Sequence, residues 1–194
     1  IGPSAGLYVW KGIGEPIGGL SGNGTVYGVS DVSSQTSKLM LGNTTAIFNG
    51  VIRDARGSNN LALVKIGAGT QTLNGNNTYS GSTTVSNGTL TVNGALTNAN
   101  IAIAGGTLNG SGILHYQVAS DTADRIQVGG SGLIDISGLT LRVVKTGVQT
   151  TNEFVIIDNT NLVAGTFAAT DAPVYWGVDY DGTAANPGAV VLWF

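Results

Sequence analysis

Polar and apolar residues alternate along much of this chain with a period of two. Thr89-Leu90-Thr91-Val92-Asn93 sets polar against apolar, and Ile101-Ala102-Ile103-Ala104 sets large against small. Side chains of an extended strand point alternately to opposite faces, so such stretches put one set inside and the other outside. The strands are short. Asn-Gly pairs close them at Asn23-Gly24, Asn49-Gly50, Asn74-Gly75, Asn87-Gly88, Asn93-Gly94 and Asn109-Gly110. Both residue types tolerate positive φ and permit sharp corners.

The pattern also repeats at longer range. Gly88-Thr89-Leu90 returns 18 residues later as Gly106-Thr107-Leu108, and Gly69-Thr70 lies 19 residues before Gly88-Thr89. Gly24-Thr25-Val26 opens the series. An interval of about 20 residues suits one coil of a β-solenoid with two or three short strands. The fold expected is therefore all-β: a parallel β-helix, or β-solenoid, with atypical terminal coils. Antiparallel hairpins with type I′ turns fit the same local pattern and remain the alternative.

Three regions follow. Residues 1–20 read as an N-terminal strand or cap around Leu7-Tyr8-Val9-Trp10, and 21–120 as the repeat coils. Beyond Asp121 the repeats lengthen and longer apolar runs appear, such as Phe154-Val155-Ile156-Ile157. Residues 121–194 are read as closing coils and a C-terminal cap, because the open end of a solenoid exposes its core.

Composition narrows the function classes. Only 10% of the 194 residues are charged and the net charge is −3, which argues against nucleic acid and anionic membrane surfaces, since both call for basic clusters. Cysteine is absent, so disulfide and thiol chemistry are excluded. No stretch reaches the roughly 20 apolar residues of a membrane helix. No signal peptide is visible at Ile1, which fits either a mature form or a chain that never carried a leader; the mature form is expected.

The run from Lys65 through Gly94 carries Lys65, Gly67, Gly69-Thr70, Leu73, Gly75, Asn77, Tyr79, Gly81, Thr83, Val85, Gly88, Leu90 and Val92 at fixed spacings. It resembles the autotransporter-associated β-strand repeat, also called the passenger-associated transport repeat. The later segments Asp121–Val128, Phe154–Asp158, Gly165-Thr166-Phe167, Trp176, Tyr180-Asp181-Gly182 and Pro187–Leu192 are similar to the ends of such proteins. The resemblance implies a right-handed parallel β-helix exported to a bacterial cell surface or secreted. Neither a translocator barrel nor a sorting segment follows Phe194 in this sequence; removal by processing is one reading of that, and the secretion route is left open.

Candidate chemistry is sparse. His115 is the one histidine, too few for a His-rich metal site. Asp121 and Asp124 near Arg125 echo acid clusters of polysaccharide-cleaving β-helices, but the resemblance makes them structural positions. Asp179-Tyr180-Asp181-Gly182 reads as an acidic turn or part of a calcium site lacking its other ligands. Asn-x-Thr/Ser triplets at Asn23, Asn43, Asn76, Asn87 and Asn109 are read as products of composition. No cofactor and no enzymatic activity are expected.

The aromatic residues near the two ends, Tyr8, Trp10, Trp176, Tyr180, Trp193 and Phe194, are the candidate assembly or binding residues. Unpaired strand edges template further pairing unless charge guards them. Charged side chains are absent from both Leu7–Trp10 and Ala189–Phe194. Head-to-tail stacking of terminal coils is thus expected, giving a homopolymeric surface fibre or sheath. Eight or nine coils at ~4.8 Å each would give a repeat of about 40 Å. The alternative is a monomeric adhesin or glycan-binding passenger domain, with surface glycans as partner.

Overall fold

The computed structural model describes residues 1–10, 16–29, 36–55, 60–98, 100–151, 153–158, 163–172, 176–180 and 189–193. These residues form three stacks of short strands. The first stack holds β4 (Ala46–Phe48), β7 (Thr70–Leu73), β10 (Thr89–Val92), β13 (Thr107–Gly110), β17 (Leu133–Asp135) and β20 (Val163–Ala164). The second begins with β1 (Gly6–Trp10), β2 (Thr25–Val29) and β5 (Val51–Asp54). It continues through an Arg53–Thr78 bridge to β8 (Asn76–Asn77), β11 (Ala95–Leu96), β14 (Ile113–Ala119), β18 (Thr140–Thr146) and β21 (Ala169–Asp171). The third holds β3 (Thr36–Leu41), β6 (Asn60–Lys65), β9 (Thr83–Val85), β12 (Ile101–Ile103), β16 (Ile126–Val128) and β19 (Glu153–Ile157).

Each turn visits the three stacks in order, and strands within a stack run parallel from turn to turn. Thr89 lies between Thr70 and Thr107, and Ile101 between Thr83 and Ile126. The chain is a parallel β-helix, and the hairpin alternative does not occur between Lys65 and Gly110. A local antiparallel pair does form where β15 (Thr122–Ala123) folds back on β14.

The period-two pattern does what it predicts. Leu90 and Val92 are fully buried while Thr89 and Thr91 face outward. Inward residues stack in columns, such as Leu90–Leu108–Ile134 in the first stack and Leu96–Leu114–Leu141 in the second. These columns merge into one core running the length of the helix.

Among the described residues Ser37, Lys65, Gln71, Asn77 and Thr83 interrupt the columns, and each is hydrogen-bonded; Ser37, in register with Leu61, donates its hydroxyl to Val29 O at 2.9 Å. Gln71 sits beneath Leu90. Its amide accepts from Leu20 N (2.8 Å) and donates to Leu20 O (2.8 Å). Asn77 accepts from Ile52 N (3.0 Å) and donates to Gly75 O (2.8 Å). Thr83 shares a hydrogen bond with the buried Tyr79 hydroxyl at 2.7 Å, and burial raises the Tyr79 pKa well above its ordinary value. Lys65 Nζ donates to Gly42 O (3.0 Å) and to Gly67 O. A buried cation costs several kcal/mol unless it is hydrogen-bonded, and these corner carbonyls supply the partners.

The corners need glycine where one turn crosses the next. Gly88 has φ +66°, and a Cβ there would run into the Gly67 carbonyl of the turn below.

Two outcomes follow for stability in thermal or denaturant unfolding. Leu90→Ala should lose about 3 kcal/mol through the cavity it leaves, while Thr91→Ala, one residue away but outward, should stay within about 0.5 kcal/mol of the parent. Gly88→Ala should cost about 1–3 kcal/mol, from backbone strain combined with the carbonyl clash.

Candidate functional site

The six aromatic candidates separate into two environments. At the N-terminal end, β1 is an edge strand with alternate side chains outward, so Tyr8 (59% exposed) and Trp10 (50%) stand in solvent. Tyr8 stacks on Tyr27 of the next turn, with centroids 5.2 Å apart and planes inclined by 16°. The Arg53 guanidinium lies 4.8 Å over that same ring and donates to Tyr27 Oη at 3.4 Å. Register makes this a column, Tyr8–Tyr27–Arg53, rising one residue per turn. Tyr27 is covered on both faces, whereas Tyr8 ends the stack. Behind β1 the core opens into a cleft of about 150 Å³ lined by residues including Leu7, Val9, Ile17, Leu39 and Met40.

The C-terminal candidates do different work. Trp176 stacks on Phe154 (6.1 Å, 10°). Lys145 Nζ lies 5.7 Å from the Trp176 ring, within cation–π range. The Tyr180 ring tilts against Phe167, and its hydroxyl accepts from Phe167 N at 3.1 Å. Both residues close the end of the core.

The last strands change direction. β23 (Val190–Trp193) runs antiparallel between β19 and β22 (Gly177–Asp179). Val190, Val191 and Leu192 are buried. The expectation that this charge-free stretch forms an open edge is therefore corrected: β23 is paired on both sides, and its apolar composition reflects burial. Trp193 stays half-exposed beside Gly177, where a Cβ would meet its indole. Phe194 lies outside the described residues, as do Asp181 and Gly182 of the acidic turn.

The polar candidates do not converge. His115 faces outward in register with Arg142 and, through it, Asp171. Burial and the Arg142 charge lower its pKa, with Asp171 opposing. Arg142 Nε pairs with Asp171 at 2.8 Å. Asp124 is buried and accepts from Asn100 Nδ2 (2.8 Å) and Gln117 N (3.0 Å). Asp121 is exposed and accepts from Thr150 N (2.6 Å), Thr151 N (3.0 Å) and Thr150 Oγ1 (2.5 Å). Each carboxylate ties backbone of one segment to another. No group of three His, Cys, Asp or Glu among the described residues could hold a metal ion.

Two larger, more open hollows are lined by none of Tyr8, Trp10, Trp176, Tyr180 and Trp193. One, of about 210 Å³, sits on the outer face of the third stack and is lined by Ser82, Thr84, Asn100, Ala102, Arg125 and Gln127, with Ile101 below. A second, of about 290 Å³, adjoins it across Asn100 and Asp124. Sequence reasoning passed over these residues apart from Asp124 and Arg125. The one signal they carry is that Ser82, Asn100 and Arg125 each precede a β-helix strand on the same face, legible only once the register is known.

Asp121 generates a pH prediction. Its hydrogen bonds lower its pKa from 3.8, so the carboxylate favours the folded arrangement above that value and releases it as pH falls through the folded-state pKa. Hydrogen exchange at Thr150 and Thr151 should therefore accelerate, relative to intrinsic rates, below pH 3.8, and Asp121→Asn should show the faster exchange already at neutral pH.

Among known families, residues 63–92 match the model described as the passenger-associated-transport-repeat. The match runs from Leu63 in β6 to Val92 at the end of β10, and so takes in the buried staples Lys65, Gln71, Asn77, Tyr79 and Thr83. No curated protein gives a significant match to the chain.

Proposed function

From a chain that carries a passenger-associated transport repeat, we propose a structural, non-catalytic segment of an exported surface protein, a passenger scaffold displayed outside the bacterial cell. The observation that carries this reading is the single hydrophobic core that successive in-register turns of the described residues share. Such a solenoid holds its shape through backbone pairing and apolar columns without disulfides, and with few charges to titrate. The polar candidates support the reading, since Asp121, Asp124 and Lys65 are all engaged in holding backbone.

Homopolymeric assembly is the second reading, and the open N-terminal coil favours it. β1 presents an unpaired ladder among the described residues, with a bare Tyr8 ring and half-buried Leu7 and Val9 above an open cleft. Such an edge accepts a parallel strand. Because β23 is already paired on both sides, a stacking neighbour would have to offer another edge, and β21 at the rim of the second stack has the right polarity.

Two measurements separate these readings. An epitope placed in the exposed Gly129-Gly130 turn should be removed by protease added to intact cells, and an epitope protected until lysis would sink the surface assignment. Electron micrographs of concentrated protein should show dispersed particles for a scaffold, or filaments with a repeat of about 40 Å for a homopolymer. Gly6→Pro and Tyr8→Asp, which block the β1 edge, should abolish filaments if they form.

A further inference from the structure

Two columns of side chains cross the outer face of the third stack. Thr84, Ala102 and Gln127 are in direct register across β9, β12 and β16. Ser82, Asn100 and Arg125 each stand just before the residues Thr83, Ile101 and Ile126 that pair there. Ala102 has the shortest side chain of its row, so it forms the floor of the recess of about 210 Å³ while its neighbours form the rim.

The rim is rich in uncommitted hydrogen-bonding groups. The Ser82 and Thr84 hydroxyls and the Gln127 amide make no side-chain hydrogen bond with another described residue. Arg125 has one ion-pair contact, to Asp158 at 3.4 Å, and its side chain is half-exposed; a guanidinium carries five N–H donors. Asn100, in contrast, is fixed. It donates to Asp124 Oδ1 (2.8 Å), accepts from Arg125 N (3.2 Å), and its own N–H donates to Asn98 Oδ1 (2.8 Å). Asn100 lines both recesses, and Asp124, Gln117, Ala119 and Thr122 line the second with it.

Chemistry narrows the occupant. A purely apolar ligand calls for apolar walls, whereas these recesses mix the aliphatic surface of Ala102 and Ile101 with hydroxyl, amide and guanidinium groups. A phosphorylated ligand calls for clustered cations, and the recesses hold one arginine facing one paired aspartate. What remains is a ligand dense in groups that both donate and accept, with a small apolar face to set on Ala102. We propose that the two recesses bind adjacent rings of an uncharged oligosaccharide, with Ser82, Thr84, Gln127 and Arg125 meeting its hydroxyls. The site is distinct from the terminal aromatics and is available whether or not subunits stack.

The test is a titration of the intact chain, labelled for amide NMR, with cellohexaose, chitohexaose and maltohexaose in turn. At least one should give saturable shifts in the millimolar range at Thr84, Ala102 and Gln127. Ala102→Phe fills the floor from the solvent side, and Gln127→Ala removes a rim amide. Each should weaken binding about tenfold or more while leaving resonances of the first stack unmoved; Thr91→Ala on that stack should bind as the parent does. The proposal is overturned if no sugar shifts these residues, if Ala102→Phe binds like the parent, or if the shifts fall on Tyr8 and Trp10 instead.

Discussion

Inward side chains of this molecule rest on those of the turns above and below, and that in-register stacking of parallel strands constrains everything else. Because the side-chain period along a strand is two, a slip of one residue would turn a core column out to solvent. Extra chain can therefore enter only where neighbouring turns accept it together, or at corners. β14 and β18 illustrate this: both are seven residues long and pair over their whole length. Their extended ends form an arm that Asp121 ties to Thr150 and Thr151.

The polar interruptions of the core follow from the same constraint. Where turns differ in shape, backbone groups of one turn lose their partner in the next. A long polar side chain placed inward can reach them. Asn77 serves Ile52 N and Gly75 O, Gln71 serves both backbone groups of Leu20, and Lys65 reaches two glycine carbonyls at a corner. A buried amide left without partners would cost about 1–3 kcal/mol, so these residues join adjacent turns in a way that an aliphatic column cannot. All three lie inside the segment, residues 63–92, that matches the transport repeat.

The two ends are unlike. Aromatic stacking and a returning antiparallel strand close the C-terminal end, so Trp176 and Tyr180 are spent on closure. At the N-terminal end the Tyr8–Tyr27–Arg53 column stops at an uncovered ring beside an open cleft. A polymer built from such a unit would need contacts beyond simple stacking of identical edges.

Much of the fold could be read from the residues. Alternation at Thr89–Val92 and Ile101–Ile103 determined which side chains face inward, because strand geometry leaves no other choice. Gly-Thr spacing set the length of a turn, and the repeat from Lys65 onward identified its kind. The sequence could not distinguish an apolar strand that is an edge from one that is enclosed. Ala189–Leu192 reads the same either way, and only tertiary pairing with β19 and β22 decided it. Nor could it reveal the recess around Ala102, whose rim residues stand about one turn apart along the chain. Alternation is a local property carried by neighbouring residues, whereas edges and concavities exist only between turns, once register has brought distant residues side by side.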